Sequence, residues 1–203
     1  MIKLCMKTFE KIKSDTFYFD SCDGCEAKCC DGRYGSLFAQ IILEDFKEVS
    51  EYFPILFIYG ELGYLKPVIL LTNGNSLCKY NKDFKCTIYE NRPSICRNYP
   101  LSAHLDNSIY IDKSCPALQS NNGSKIIENE KILNDFNTYD FNNYQEKYIN
   151  MHIYFDKFNK EENLKPIIFL NNVMFYSFRN SFDDYYINLQ MNSLKNLDKY
   201  YNI

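Results

Sequence analysis

The stretch from Cys22 to Cys30, CDGCEAKCC, places four cysteines within a short loop, and two of them are adjacent. The chain has nine cysteines in 203 residues. The apolar stretch of the N-terminal MIKLCMKTFEKIK is too short for a signal peptide, and charged residues interrupt it. We therefore expect a cytoplasmic protein. Thiols stay reduced in that compartment, which argues against a disulfide framework. The pattern therefore indicates metal binding or redox chemistry.

Eight of the nine cysteines form a pattern of candidate metal ligands. A Cys-x2-Cys pair can turn both sulfurs toward one metal, and Asp23-Gly24 supplies turn residues between the first two cysteines. Cys5 stands apart, and we interpret it as a small buried hydrophobe. Eight thiols match two four-cysteine sites, or one such site with further redox thiols. The candidate ligands are Cys22, Cys25, Cys29, Cys30, Cys78, Cys86, Cys96 and Cys115.

The adjacent pair Cys29-Cys30 restricts how these thiols share metals. Neighbouring side chains of an extended segment point to opposite sides. We therefore expect the two sulfurs to serve different sites, or different irons of one cluster.

The identity of the metal follows less directly from the pattern. Four thiolates suit zinc and iron–sulfur centres equally. Structural zinc sites commonly use two Cys-x2-Cys pairs, whereas here one occurs among irregular spacings. This favours an iron–sulfur cluster, of the 4Fe-4S type, over zinc. His104 is either an accessory ligand or an ordinary surface histidine, and His152 is interpreted as structural.

Charge and hydropathy exclude two classes of partner. The formal charge is −3 and the pI is near 5.5, which argues against nucleic-acid binding because phosphate contacts need an excess of Lys and Arg. No apolar run approaches the ~20 residues that span a bilayer. The expected partners are a metal ion or cluster and a further protein.

Composition divides the chain after the last cysteine. Beyond Cys115 there is no cysteine, and Tyr, Phe and Asn predominate. The turn-like QSNNGS at 119–124 marks the change. We predict an α+β fold: a small, cysteine-rich, metal-stapled core over 1–118, with short strands and helices, followed by a helical C-terminal region over 119–203 packed on it.

Hydrophobic periodicity assigns the individual elements. In the core, Ile42, Phe46, Val49 and Phe53 indicate an amphipathic helix. Strands are predicted at SLFAQIIL, PVILL and SIYID, a hairpin at SLCKY and KCTIY, and a short helix after Pro93. In the C-terminal region we predict helices over 126–136, over 141–158 after an Asp140 cap, from Pro166 through Phe178, and after a Ser181 cap.

Three segments, CDGCEAKCC, LCKYNKDFKCTIYENRPSICRNYPL and DKSCPAL, together resemble the YkgJ-type cysteine-cluster proteins. The resemblance covers about residues 20–118. It implies a zinc- or iron-chelating domain whose eight cysteines correspond to the candidate ligands given above. Beside this motif, Arg33, Arg92 and Arg97 are candidates to offset thiolate charge; for Arg92 and Arg97 an ion pair holding the hairpin to the helix is an equal alternative.

The phrase CEAKCC also resembles the cysteine cluster of flagellin lysine N-methylases, which use S-adenosylmethionine. Those continue with Gly-Trp, whereas this chain has DGRYG and no tryptophan. Both resemblances imply a bacterial protein.

Three functions remain open. The first is a metal or cluster protein that serves in electron transfer, metal handling or assistance to a modifying enzyme. The second is an S-adenosylmethionine-dependent protein lysine methyltransferase, although YGELG at 59–63 is the best glycine-rich loop and no convincing helix follows it. The third is a zinc-stapled module whose helical region docks a partner.

Overall fold

The computed structural model describes residues 7–13, 15–22, 25–118, 123–133 and 141–201. Several of the sequence-based interpretations lie wholly or partly outside the described residues. They concern Cys5, the turn at Asp23-Gly24, the turn QSNNGS at 119–124, the end of the helix over 126–136 and the cap at Asp140.

The described residues form thirteen strands and five α-helices, connected by short 3-10 turns. The strands are β1 (Phe9–Lys11), β2 (Phe17–Phe19), β3 (Phe38–Gln40), β4 (Ile55–Tyr59), β5 (Leu65–Leu70), β6 (Asn81–Lys82), β7 (Lys85–Cys86), β8 (Leu101–Ala103), β9 (Ile109–Asp112), β10 (Ser124–Glu128), β11 (Lys131–Ile132), β12 (Leu164–Leu170) and β13 (Val173–Phe178). The helices are α1 (Phe46–Tyr52), α2 (Ser94–Asn98), α3 (Phe141–Asp156), α4 (Tyr185–Ser193) and α5 (Lys195–Tyr201).

The strands assemble into four small antiparallel sheets. The largest has the order β12-β13-β4-β5-β3. Two three-stranded sheets have the orders β1-β9-β8 and β11-β10-β2, and β6-β7 is a hairpin. In the largest sheet β13 pairs with β4 at Tyr176 and Phe57, so strands from the C-terminal region complete a sheet begun by the cysteine-bearing region.

The amphipathic helix predicted after β3 is confirmed. Ile42, Phe46, Val49 and Phe53 are each 3% exposed or less, and α1 begins at Phe46 after a 3-10 turn. The aromatic stripe of α3 packs on the same core, where the rings of Phe46 and Phe155 stack 5.6 Å apart. Burial of these rings and aliphatic side chains is the main favourable term for this part of the fold.

The C-terminal region contains strands where helices were predicted. Ile126 and Ile127 lie in β10, and 166–178 is the hairpin β12-β13. The hairpin turns at Asn171 and Asn172, both at positive φ (46° and 63°), the conformation that two-residue hairpin turns require and that Asn tolerates. This turn signal outweighs the apolar spacing that suggested helices. Strand β4 was not predicted, because its continuous apolar run has no period of its own.

The predicted α+β class with a helical part near the C-terminus is confirmed by α3, α4 and α5 together with the antiparallel sheets. Helix α4 begins after Asp184 rather than Ser181: the Asp184 carboxylate accepts hydrogen bonds from the backbone N–H groups of Tyr186 and Ile187. Among the described helices, none has the length and apolar character needed to cross a bilayer. The division at 118 stays a prediction.

Buried polar side chains attach the C-terminal helices to the central sheet. Gln190, fully buried, donates to the carbonyl of Ile55, 3.0 Å away. The backbone N–H of Ile55 donates to the hydroxyl of Ser193 at 2.8 Å. Asn196 donates to the carbonyls of Ser50 and Phe53, which end α1. Backbone groups that no strand or helix satisfies therefore find their partners in α4 and α5.

We expect Ser193→Ala to lower the free energy of unfolding by about 1–3 kcal/mol, because the buried N–H of Ile55 loses its acceptor. Ser181→Ala is the matched control at an exposed serine, with an expected change within about 0.5 kcal/mol. Urea unfolding followed by circular dichroism measures both, and equal values for the two variants would contradict this role.

Candidate metal centre

The loop of the first four candidate ligands is wound rather than extended. The backbone N–H of Cys25 donates to the carbonyl of Cys22, at 3.2 Å, and residues Lys28–Cys30 form a 3-10 turn. In this turn the Sγ atoms of Cys29 and Cys30 lie 3.7 Å apart. The backbone at Cys29 and Cys30 is therefore not extended, contrary to our expectation. The two sulfurs lie on the same side, so the backbone gives no reason to assign them to different metal sites.

Backbone hydrogen bonds hold this loop against the segment that carries Cys78. The N–H of Cys78 donates to the carbonyl of Cys30 at 2.6 Å, and the N–H of Gly32 donates to the carbonyl of Ser76 at 2.8 Å. Asp31 forms a bridge with Leu77 between these two bonds. The loop and the Cys78 segment thus form one unit.

Asp31 organises the chain just after the adjacent cysteines. Its buried carboxylate accepts hydrogen bonds from the backbone N–H of Arg33 and from the Arg33 guanidinium, with Nη2 at 2.7 Å. These bonds hold the pKa of Asp31 below its ordinary value. The guanidinium of Arg33 therefore pairs with a carboxylate, not with thiolates as the sequence had suggested.

The predicted hairpin brings Cys86 back toward Cys78. Strands β6 and β7 contain two residues each, and Asn81 pairs with Cys86. The N–H of Asn81 donates to the carbonyl of Cys78 at 2.8 Å. Asp83 and Phe84 form the turn at positive φ. A hairpin is thus present, but its first strand, β6, lies in the predicted connection NKDF, and the predicted strand SLCKY is not a strand.

Asp45 caps the short helix that carries Cys96. Its Oδ1 accepts from the N–H and the hydroxyl of Ser94, at 3.0 and 2.8 Å, and its Oδ2 accepts from the N–H of Ile42. Burial raises the pKa of this carboxyl. One carboxyl group thus fixes the starts of two helical segments and sets the position of Cys96.

Asp112, fully buried, holds the turn that carries Cys115. Its Oδ1 accepts from the N–H groups of Thr8 and Ser114 and from the Ser114 hydroxyl, and its Oδ2 accepts from the hydroxyl of Tyr99 at 2.9 Å. The N–H of Cys115 donates to the carbonyl of Asp112. The sequence analysis missed this residue, although the Asp-x-Ser pattern before the cysteine is a common turn signal.

The electrostatics show which cysteines lie close together. Burial raises the pKa of Cys96, and Cys78 and Cys29 raise it further. Burial, with Cys86 and Cys29, raises the pKa of Cys78 to about 11.

At the far end of the motif, burial, with Cys29 and Cys25, raises the pKa of Cys115 to about 12. The hydrogen bond to Cys30, followed by burial, raises the pKa of Cys29 itself. Cys29 thus lies within electrostatic range of Cys30, Cys78, Cys96 and Cys115, from four parts of the motif.

The cation at this site is Lys7. Its Nζ donates to the carbonyl of Cys29 at 3.4 Å and lies 5.3 Å from the centre of the Tyr99 ring. Its charge opposes the rise in the pKa values of Cys29 and Cys96. The sequence analysis did not select Lys7, because nothing local links it to cysteines so far along the chain.

Arg92 and Arg97 hold the turn before α2. The Arg92 guanidinium lies 3.5 Å from the centre of the Tyr89 ring and donates to the Tyr89 carbonyl. Arg97 donates to the carbonyls of Arg92 and Glu90. These contacts are to ring and carbonyl groups, so they match neither the thiolate role nor the ion pair that the sequence had suggested.

The two histidines have partners other than the cysteines. His104 Nδ1 is 2.9 Å from a carboxylate oxygen of Asp106. His152 is buried on α3, where Nδ1 is 2.9 Å from the carbonyl of Tyr148.

The cysteine thiols are suitable metal ligands, but the described side chains do not form a complete coordination site. No group of three or more described His, Cys, Asp or Glu side chains has the spacing to hold an ion as it stands. Still, 3.7 Å between two sulfurs matches the edge of about 3.8 Å in a tetrahedron with metal–sulfur bonds of about 2.3 Å. The Oδ1 atoms of Asn81 and Asn98, on segments that carry Cys86 and Cys96, are buried and have no hydrogen-bond partner among the described residues.

Comparison with known proteins identifies the cysteine-bearing region. Residues 21–116 match the family model CxxCxxCC, described as "Putative zinc- or iron-chelating domain". This is the family that the cysteine pattern resembled, so that resemblance is confirmed. No curated protein and no solved structure matches the chain.

We expect Gly32→Ala to destabilise the protein by about 1–3 kcal/mol, because a Cβ there would lie 2.4 Å from Thr72 Oγ1 and 2.8 Å from the carbonyl carbon of Gly74. Thr72 cannot easily yield, since its hydroxyl donates to Ser36 and accepts from Gly74. At Gly60 the nearest atoms are 3.5 Å away, so Gly60→Ala is the matched control, with a change within about 0.5 kcal/mol. Denaturant unfolding distinguishes the two.

Proposed function

Because residues 21–116 match the model of a zinc- or iron-chelating domain, we propose that the protein holds metal through the eight cysteines of that region. The ligands are Cys22, Cys25, Cys29, Cys30, Cys78, Cys86, Cys96 and Cys115. The observation that carries the proposal is the position of Cys29, within electrostatic range of cysteines from four parts of the motif.

A bound metal ion would supply positive charge to this group of thiols. Several are buried and raise one another's pKa values, and Lys7 is the cation that opposes this rise. Bound zinc or iron would provide positive charge directly to the sulfurs, so that binding energy becomes folding energy. Lys7, Asp31, Asp45 and Asp112 would then hold the ligand segments in place.

We propose that the eight cysteines form two tetrahedral four-cysteine sites for zinc or iron, and that Cys29 and Cys30 bind the same ion. The 3.7 Å between their sulfurs supports shared binding of one ion. The second candidate is an iron–sulfur cluster of the 4Fe-4S type, in which cysteines bind separate irons. The irregular spacing of Cys78, Cys86 and Cys96 supports that form.

In this proposal the protein serves in electron transfer, metal handling or as an accessory to a modifying enzyme in the cytoplasm. The methyltransferase alternative gains no support from the fold or from the comparisons. The C-terminal region, 119–203, would pack on the metal-binding region and stabilise it, partly through the pairing of β13 with β4.

The metal assay decides between these forms. Protein purified without oxygen is analysed for zinc, iron and acid-labile sulfide, with the visible spectrum recorded. Zinc, or iron without sulfide, supports the tetrahedral site. A brown protein with equal iron and sulfide supports the cluster. Protein purified free of both metals, which also fails to take up added zinc or iron, would refute both.

We expect Cys29→Ser and Cys30→Ser to lose the same metal to the same extent, because the two sulfurs share one site. Chelation should lower the melting temperature of the unmodified protein by about 10 °C or more, and that of either variant by much less. Cys5→Ser is the control: Cys5 lies outside the matched residues, and its variant should keep the full metal content. Different metal losses in the two variants would count against a shared ion.

A further inference from the structure

The tip of the β6-β7 hairpin exposes two lysines that lie opposite each other. The strand register pairs Lys82 with Lys85, and both side chains are exposed. Like charges directly opposite each other on two strands are destabilising. Among the residues that the structure describes, no carboxylate forms an ion pair with either lysine. The stability of the fold therefore gives no reason for this pair of lysines.

Phe84, in the turn between the two lysines, is held toward solvent in a conformation that phenylalanine seldom adopts. Its φ is 60°, in the left-handed region where hairpin turns usually have Gly or Asn. The side chain is 55% exposed and belongs to neither apolar cluster of the described residues. Neither backbone preference nor burial explains an aromatic residue here. An exposed aromatic side chain flanked by cations is instead typical of a residue that anchors a protein interface.

The segment that contains the hairpin is basic, although the chain as a whole is acidic. Residues 79–97 carry five Lys or Arg and two Asp or Glu, whereas the formal charge of the whole chain is −3. Charge complementarity therefore favours an acidic partner for this face. The acidic remainder of the chain would repel a long polyanion such as a nucleic acid, so the balance favours an acidic protein. The cations are Lys79, Lys82, Lys85, Arg92 and Arg97, and the carboxylates are Asp83 and Glu90.

The hairpin tip adjoins the candidate metal centre. Lys85 directly precedes Cys86 in β7, and Cys86 pairs with Asn81, the neighbour of Lys82 in β6. Cys86 itself is only partly buried. A protein bound at the hairpin tip would therefore lie beside one of the proposed metal ligands.

We propose that the tip of the β6-β7 hairpin docks a protein whose surface presents carboxylates around an apolar patch. Lys82 and Lys85 pair with the carboxylates, and Phe84 packs on the apolar patch. The use of this face rests on the proposed function, since the partner would lie beside the metal, whereas binding itself is measured separately from metal content.

The probe is a fluorescently labelled random copolymer of glutamate and tyrosine, which offers carboxylates together with apolar rings. Polyglutamate is its counterpart without rings. Each is mixed with the full-length, metal-loaded protein, and binding is followed by fluorescence anisotropy. We expect saturable binding of the copolymer and at least about tenfold weaker binding of polyglutamate, because only the copolymer gives Phe84 an apolar partner. Added salt should weaken the binding of both.

Removal of the two hairpin charges tests the ionic part. Lys82→Gln and Lys85→Gln in one chain should weaken copolymer binding at least about tenfold. Lys131→Gln and Lys160→Gln in one chain are the matched control, because they remove the same charge from two exposed lysines of the C-terminal region. Binding to the control variant should equal that of the unmodified protein, and equal losses in the two variants would overturn the proposal.

Phe84→Asn separates docking from folding. Asn tolerates the left-handed conformation, so the melting temperature should stay the same or rise, while copolymer binding falls to the level of polyglutamate. Phe169→Ser is the control at a phenylalanine that is 60% exposed on β12, and its binding should be unchanged. A lower melting temperature with unchanged binding would assign Phe84 a structural role and overturn the proposal. If Phe84→Asn does not fold, the comparison of copolymer and polyglutamate on the unmodified protein decides.

The remaining outcomes are equally decisive. Absence of copolymer binding up to about 1 mM overturns the proposal. Tighter binding of single-stranded polythymidylate would assign the face to nucleic acid, and a dimer that dissociates in the lysine variant would assign it to a second copy of the chain. Either result also overturns it. Metal is measured in the same samples: binding without metal would refute the proposed function alone, and full metal content without binding would refute the docking site alone.

Discussion

Three buried aspartates hold the segments that bear the cysteines. Asp31 fixes the turn after Cys30, Asp45 caps the helix of Cys96, and Asp112 holds the turn of Cys115. Each carboxylate accepts at least three hydrogen bonds, which come both from backbone N–H groups and from the side chains of Arg33, Ser94, Ser114 and Tyr99. Burying a carboxylate is costly unless its oxygens are hydrogen-bonded. The turns that carry the cysteines are thus held in place by polar bonds.

This arrangement explains why so many thiols can lie near one another. Buried thiols raise one another's pKa values, and Lys7 opposes that rise. The apolar core lies between α1, α3 and the largest sheet, where Phe46, Phe57 and Phe155 are fully buried, and Cys78 lies at its edge. The molecule therefore combines a conventional core with a centre whose stability we assign to metal binding.

Much of the fold followed from local patterns. The α1 helix, the β6-β7 hairpin and the α3 helix each have a periodicity or turn signal of their own, and all three were predicted. The hairpin at Asn171-Asn172 was missed because apolar spacing was weighed above turn chemistry. The roles of Lys7 and Asp45 could not be predicted from local sequence patterns. Their partners, Cys29 and Ser94, are distant in the sequence and come close only in the folded chain. The family and its eight cysteines were recognisable from spacing, whereas the sharing of sulfurs depends on backbone conformation.

Strands β8 and β9 connect the metal centre with a second part of the molecule. Strand β8 follows α2 with Cys96, and β9 runs into the turn of Cys115. Ser102 and Tyr110 from these strands also line a cavity of about 340 Å³, which β5 and α3 close on the other side. Tyr144, hydrogen-bonded to Gln40 in the cavity wall, is within electrostatic range of Cys96. A displacement of either strand would therefore alter both the metal centre and the cavity.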